Sequence, residues 1–388
     1  MRFTARMITS TAALLITLVA IAAAAPAAGD LVVNVRHDLE RLAVHDANAA
    51  GDGETDDSPA LQAAIDHAAE AESGVVFLPP GTYRIANLEM RPGVTLAGAG
   101  REATVLRAVG TAPMLILTGG TVRDLSALGT PAEDVSGDNW RITTRSGSGG
   151  TATSSHIITV RDAVNPRIEN VRVAESRYDC LYVRGSTGLR VSNSEFDRAG
   201  RNIVSMVGND EDFVFTNCRF GSTWRLYHFD IEPNEDRWVR NGAFVNCEFD
   251  GTRAGEGGSD TWGRMLILTG HDALESRDIT ITGCVFREIS IRVRGIFPGV
   301  RVLHNPVLDG YGPFFLRVRT NPVGELRDAQ IIGNRFLDGD APAERLHHGV
   351  TFTGETVFAG NDPAQFDETE LSEPATTQEA AKDKVADE

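Results

Sequence analysis

The sequence predicts an all-β chain wound into a stacked solenoid, and three observations predict it. Between His156 and Phe336 an asparagine beside a turn recurs at intervals of roughly 22 to 37 residues, the length of a solenoid coil with occasional loop insertions. A short strand of alternating side chains precedes the landmarks, in IITVR, CLYVR, IVSMV, HFDIE, LILT, SIRVR and LRVR. Ahead of the repeats, an amphipathic helix followed by short strands suits a lid over one end, where strand edges and core side chains would otherwise lie open. At 388 residues the chain is long for one compact core and ordinary for a solenoid.

At the start, Arg2 and Arg6 precede an apolar run from Met7 to about Ala24 and an Ala-Pro-Ala-Ala tail, so residues 1–28 are expected to be a secretory signal peptide. No later stretch approaches the ~18 apolar residues of a membrane span. The expected product is therefore released, extracellular or periplasmic, with a β-helix domain over 29–361. From Asp362 to Glu388 acidic residues dominate with no strand pattern, which predicts a disordered tail. A net charge of −17 argues against a nucleic-acid partner. Lys382 and Lys384 are the only lysines, which removes lysine from any mechanism on the folded body.

The lid is Gly51 to Ile85, GDGETDDSPALQAAIDHAAEAESGVVFLPPGTYRI. Ser58 is expected to cap a helix starting at Pro59, because a hydroxyl accepts from orphan N–H groups and proline has none to strand. Leu61, Ile65 and Ala68 share its apolar face, Gly74 ends it, and strands Val75 to Leu78 and Thr82 to Ile85 flank the Pro79-Pro80-Gly81 turn. This block resembles the N-terminal signature of the pectate-lyase-like right-handed parallel β-helix family, which includes rhamnogalacturonase-like and epimerase-like proteins. The resemblance rests on the glycine–aspartate pair, Thr55-Asp56-Asp57, Gln62, the alanine-rich helix and Pro-Pro-Gly-Thr-Tyr. It implies a right-handed parallel β-helix with an N-terminal capping helix and a function on polysaccharides. The motif itself is not catalytic, so Asp52, Asp56 and Asp57 read as structural. The Asn-Thr-Asp, Asp-Asp, Gly-His-Gly and Arg-Ile-Lys strings of polygalacturonase-type relatives are absent, Gly270-His271-Asp272 being a partial echo. Asp230-Ile231-Glu232-Pro233 does not reproduce the Asp-Pro-His signature of alginate epimerases. No specific activity transfers from either group.

Inside the solenoid, Asn170, Asn193, Asn217, Asn246, Asn305 and Asn334 are expected to stack at one turn, with Gly283 replacing asparagine once. Phe196, Phe220, Phe249, Phe286 and Phe336 follow them. Cys218, Cys247 and Cys284, in TNCRF, VNCEF and TGCVF, should form a buried thiol ladder without disulfides, and Cys180 should also be buried.

Placing Val160, Val183, Met206, Ile231, Leu268, Val293 and Val318 inward turns their neighbours outward. The outward set reads Thr159 and Arg161, Tyr182 and Arg184, Ser205 and Val207, Asp230 and Glu232, Ile267 and Thr269, Arg292 and Arg294, Arg317 and Arg319. One acidic rung sits in an arginine-flanked stripe, to which the turns add Arg177 and Tyr178, Arg201 and Asn202, Arg225, Tyr227, His228 and Arg264. Guanidinium forks bind carboxylates, so the stripe suits a chain of sugar acids. The expected catalytic residues are Asp230 and Glu232, a carboxyl pair for glycoside hydrolysis, with His228 at the groove edge as a proton shuttle. Tyr182, Arg184, Arg201, Arg225, Tyr227, Arg264, Arg292 and Arg294 are the expected substrate binders. Elimination is the competing chemistry. Its base would be Arg184, Arg201, Arg292, Arg294, Tyr182, Tyr227 or His228, and the two acids would then hold Ca²⁺. A glycan-binding or surface-attachment β-helix without catalysis is the alternative from another class. Trp224, Trp238 and Trp262 near the acidic coil could offer platforms for sugar rings. Two insertions, Gly129 to Ser155 and Asp250 to Trp262, could shape the groove, with Glu256 and Asp260 as secondary candidates.

Overall fold

The computed structural model describes residues 31–110, 113–129, 156–221, 223, 227–234, 236–252, 265–270, 276–308, 316–317, 324–337 and 347–362. The expected signal peptide, the tail beyond Asp362 and almost all of both insertions lie outside the described residues. Within them, the alanine-rich segment forms the helix Ser58–Glu70, burying Ala60, Leu61, Ala64, Ile65 and Ala68. Gln62 fastens it to the solenoid: its Oε1 accepts the Glu89 N–H at 2.8 Å and its Nε2 donates to the Glu89 carbonyl at 3.1 Å. The expected cap is corrected by one residue. Asp57 is the N-cap, and its carboxylate accepts the N–H groups of Ala50 and Gly51. Ser58 instead accepts the Ala86 N–H. The helix also ends earlier than expected, at Glu70, and Gly74 opens the strand Gly74–Leu78. The aspartates of the signature are thus turn-builders. Asp52 accepts N–H groups of Glu54 and Thr55 and the Thr55 hydroxyl, and those donors hold its carboxyl down at about 2.

Every strand pairing among the described residues is parallel, in one 22-stranded and one 12-stranded sheet. Successive coils place equivalent residues one above another, the arrangement of a parallel β-helix. Its interior is built of columns. Phe196, Phe220, Phe249 and Phe286 stack face to face, with ring centroids 5.7, 4.9 and 4.9 Å apart. Cys218, Cys247 and Cys284 are free and buried, and the Cys247 N–H lies 3.4 Å from Cys284 Sγ, as the ladder reading expects.

The asparagines occupy two columns where the sequence suggested one. Asn170, Asn193, Asn217 and Asn246 take left-handed backbone conformations at the turn, and in the later coils Gly283, His304 and Gly333 hold that position. Asn305 and Asn334 come one residue later and point inward, continuing the cysteine column. Asn305 accepts the Cys284 N–H, and Asn334 accepts both the backbone and side-chain N–H groups of Asn305. The conserved turn geometry is what matters at the first position. At the second, an interior that has begun with thiols ends with amides that satisfy the backbone of the coil before.

Candidate functional site

The 12-stranded sheet carries the outward columns. Ile231 fills the coil with no exposure, which turns Asp230 and Glu232 to the other face. Strand pairing aligns Thr159, Tyr182, Ser205, Asp230, Ile267, Arg292 and Arg317 in one column. In a second column Arg161 pairs with Arg184 and Thr269 with Arg294, with Glu232 between these pairs. Arg161 and Arg184 are exposed.

The two acids have different surroundings. Glu232, with 39% of its side chain exposed, forms an ion pair with Arg294 across the intervening rung. Asp230 is only 7% exposed although it stands in the outward column. Its Oδ2 accepts the Asn202 amide at 2.8 Å, while its Oδ1 has no hydrogen-bond partner among the described residues. Burial and the charge of Glu232, opposed by Arg201, push the Asp230 carboxyl up to about 8.

Beside Asp230 lies a buried polar cluster drawn from three coils. Asp179, with no exposure, receives Arg201 through Nε at 2.7 Å and through a second guanidinium nitrogen, the Asn202 N–H at 3.0 Å and the Ser205 hydroxyl at 3.0 Å. The Arg201 guanidinium lies 4.2 Å from the Tyr178 ring centroid. His156 Nδ1 is 3.3 Å from Asp179, and its ring stacks on Tyr182 at 4.4 Å. Burial drives the imidazole down to about 4, so His156 is neutral at pH 7. Despite its burial the Asp179 carboxyl is pulled below its ordinary range by Arg201.

Among the expected site residues, Tyr182, Arg201, Asp230, Glu232 and Arg294 come together here. Arg292 is nearly buried, and its guanidinium donates to the Tyr227 hydroxyl at 3.4 Å. His228 is corrected: it is fully buried, with Nε2 2.9 Å from the Asp250 carbonyl, and does not reach the groove edge. Its place one residue before an inward phenylalanine, at a corner, defeats simple alternation. Trp238 lies against Arg240 at 4.0 Å. Arg225, Arg264, Trp224, Trp262, Glu256 and Asp260 lie outside the described residues. For a Ca²⁺ ion the two acids offer few uncommitted oxygens: Asp230 Oδ2 accepts the Asn202 amide and Glu232 is paired with Arg294, whereas Ca²⁺ takes about six to eight oxygen ligands. Among the described residues no group of three or more His, Cys, Asp or Glu side chains is arranged to hold a metal.

Asp179 and His156 escaped the sequence reading. Two residues ahead of the paired Ile158, Leu181, Val204 and Phe229 stand His156, Asp179, Asn202 and Tyr227, a polar residue at one offset in four successive coils. That offset was the available signal.

Residues 42–262 match the family described as rhamnogalacturonase A/epimerase, pectate lyase-like. The chain is 47% identical over 74 residues to mannuronan C5-epimerase AlgE6 of Azotobacter vinelandii, a match covering 17% of this chain and 8% of that protein. The chain thus spans a small part of the curated relatives it matches. In three dimensions it resembles the tailspike protein gp49 of the Acinetobacter baumannii bacteriophage Fri1, a capsular polysaccharide depolymerase, with a TM-score of 0.55 and 16% identity, the match covering 91% of this chain and 66% of that one. It also resembles PfbA, a surface adhesin of Streptococcus pneumoniae, with a TM-score of 0.55 and 15% identity over 86% of this chain and 84% of that one. At these identities the structural likenesses establish the parallel β-helix. The family match, over more than half of the sequence, establishes that the chain belongs to the rhamnogalacturonase A/epimerase, pectate lyase-like family.

Proposed function

We propose that this member of the pectate-lyase-like family hydrolyses a uronate-containing polysaccharide, with Asp230 as the proton donor to the glycosidic oxygen and Glu232 as its carboxylate partner. The observation that carries the reading is the unequal state of the two acids. Asp230 keeps its proton at neutral pH because it is buried beside a like charge, while Glu232, two residues on and just past the end of the strand Phe229–Ile231, is paired with Arg294. Glycoside hydrolysis needs such a division between an acid and a base or nucleophile. Arg184 and Arg294 would receive sugar carboxylates on either side.

Elimination is less well supported. Arg201 is committed to Asp179, which strengthens its hold on its proton, and burial raises the hydroxyls of Tyr182 and Tyr227. Each shift makes a worse base. A glycan-binding β-helix without catalysis is the second reading, favoured by how little of Asp230 is exposed. The leader-like first residues support export to where such polymers occur. Incubation with pectin, polygalacturonate, rhamnogalacturonan and alginate, following reducing ends and the absorbance of unsaturated uronates, tests the reading. Reducing ends without absorbance are expected. Absorbance would replace hydrolysis by elimination, and retention of a glycan with neither signal would leave a binder.

A further inference from the structure

Asp179 is a buried anion with four donor groups converging on it. All come from the next coil, two guanidinium nitrogens of Arg201, the Asn202 backbone and the Ser205 hydroxyl, and these surround the side chain that touches Asp230. The Asn202 amide divides its two hydrogens between the Ser205 hydroxyl at 3.0 Å and Asp230 Oδ2 at 2.8 Å, and its Oδ1 accepts the Tyr227 N–H. Its rotation is thereby fixed from three sides. Arg201 also donates to Ser205, which closes a ring of contacts around Asp179. A buried ion pair is a poor source of stability, since desolvation offsets the attraction, and an apolar pair would serve the coil at least as well. Here the pair ends on a carboxyl whose second oxygen is left without a partner among the described residues.

We propose that Asp179 is the positioning residue of this site: the buried anion that fixes Arg201, Asn202 and Ser205, and through them sets where the Asp230 carboxyl points and when it releases its proton. This rests on the hydrolytic reading for its catalytic meaning, but not for its test. Asp230 faces Glu232 from its own coil, Asp179 and Arg201 from the preceding coils, and Arg294 from a following one, with Tyr227 and Arg292 beyond. Replacing Asp179 removes one negative charge and leaves Arg201 uncompensated. Both changes favour the Asp230 carboxylate. Replacing Asn202 removes a donor to that carboxylate and favours the acid.

The experiment is titration of Asp230 by carbon-13 NMR of the carboxyl groups, assigned by loss of its signal in Asp230→Asn, on the full chain without substrate. Asp179→Asn is expected to lower the Asp230 midpoint by about one pH unit or more. Asn202→Ala, with Asp179 and Arg201 in place, is expected to raise it. An unmoved midpoint in whichever of the two variants folds would overturn the proposal and leave Asp179 a packing element. If the midpoints move as expected but no polysaccharide is cleaved by the unaltered protein, the hydrolytic reading fails and the positioning role stands.

Discussion

Two regions of this molecule bury polar side chains, and they do so differently. In the interior column Asn305, Asn334 and Asn361 have their amide groups spent on the backbone and on one another. Asn334 alone donates to the Val302 carbonyl and to Asn361 while receiving two N–H groups of Asn305. In the outward column Asp230 is almost as buried, yet one of its oxygens is unmatched among the described residues and its proton is retained against a neighbouring negative charge. Burial of a polar group is stabilising or neutral when all its bonds are made and costly when they are not. The first column is therefore architecture. The second is placed at the expense of stability, the pattern expected if the proposed chemistry happens there.

The comparison can be broken most forcefully at Asp230. Asp230→Asn is expected to reduce kcat by about 10²- to 10⁴-fold, the range for loss of a general acid. The same change should stabilise the fold at pH 8 by on the order of a few kcal/mol, because an amide, unlike the carboxyl, gains nothing by ionising in the unfolded chain. Loss of activity together with loss of stability in a chemical denaturation series would put Asp230 with the asparagines. At the interior column, Asn334→Ala should cost about 3 kcal/mol by orphaning the Asn305 N–H and the Val302 carbonyl of the preceding coil, with kcat per folded molecule unchanged.

The pH dependence of stability sharpens the contrast. Between its ordinary value of 3.8 and about 8, Asp230 stays protonated in the fold and ionises in the unfolded chain. The folded state then binds more protons, so this group's contribution falls as pH rises through that window. Asp210, raised to about 7 by burial, acts in the same sense. His156, lowered to about 4 from 6.5, acts oppositely, but only below pH 6.5. The thermal midpoint should therefore decline from pH 6.5 to 8.5, and less steeply in Asp230→Asn. A smaller effect is expected at the rim: Arg184→Gln, at an exposed position away from the two acids, should raise KM for an acidic polysaccharide about tenfold, roughly 1.4 kcal/mol, and leave a carboxyl-reduced polymer unaffected.

The solenoid was legible because its signals are periodic and local. The cysteine and phenylalanine columns repeat with each coil, and the inward place of Ile231 followed from strand alternation alone. Legibility ended where the chain turns. His304 and Gly333 hold the left-handed position that asparagine holds earlier, so matching residue type misaligned Asn305 and Asn334 by one. His228 sits at such a corner too. Asp179 was passed over because a single aspartate between Tyr178 and Cys180 carries no pattern of its own. Only the register between coils shows it below Asn202, and only burial shows what its charge does.

The proton on Asp230 is best tested by kcat/KM against pH on whichever acidic polysaccharide is cleaved. The account predicts a fall on the basic side with a midpoint near 8, as the acid ionises. Activity that keeps rising beyond pH 9, as a base-driven elimination would, contradicts it.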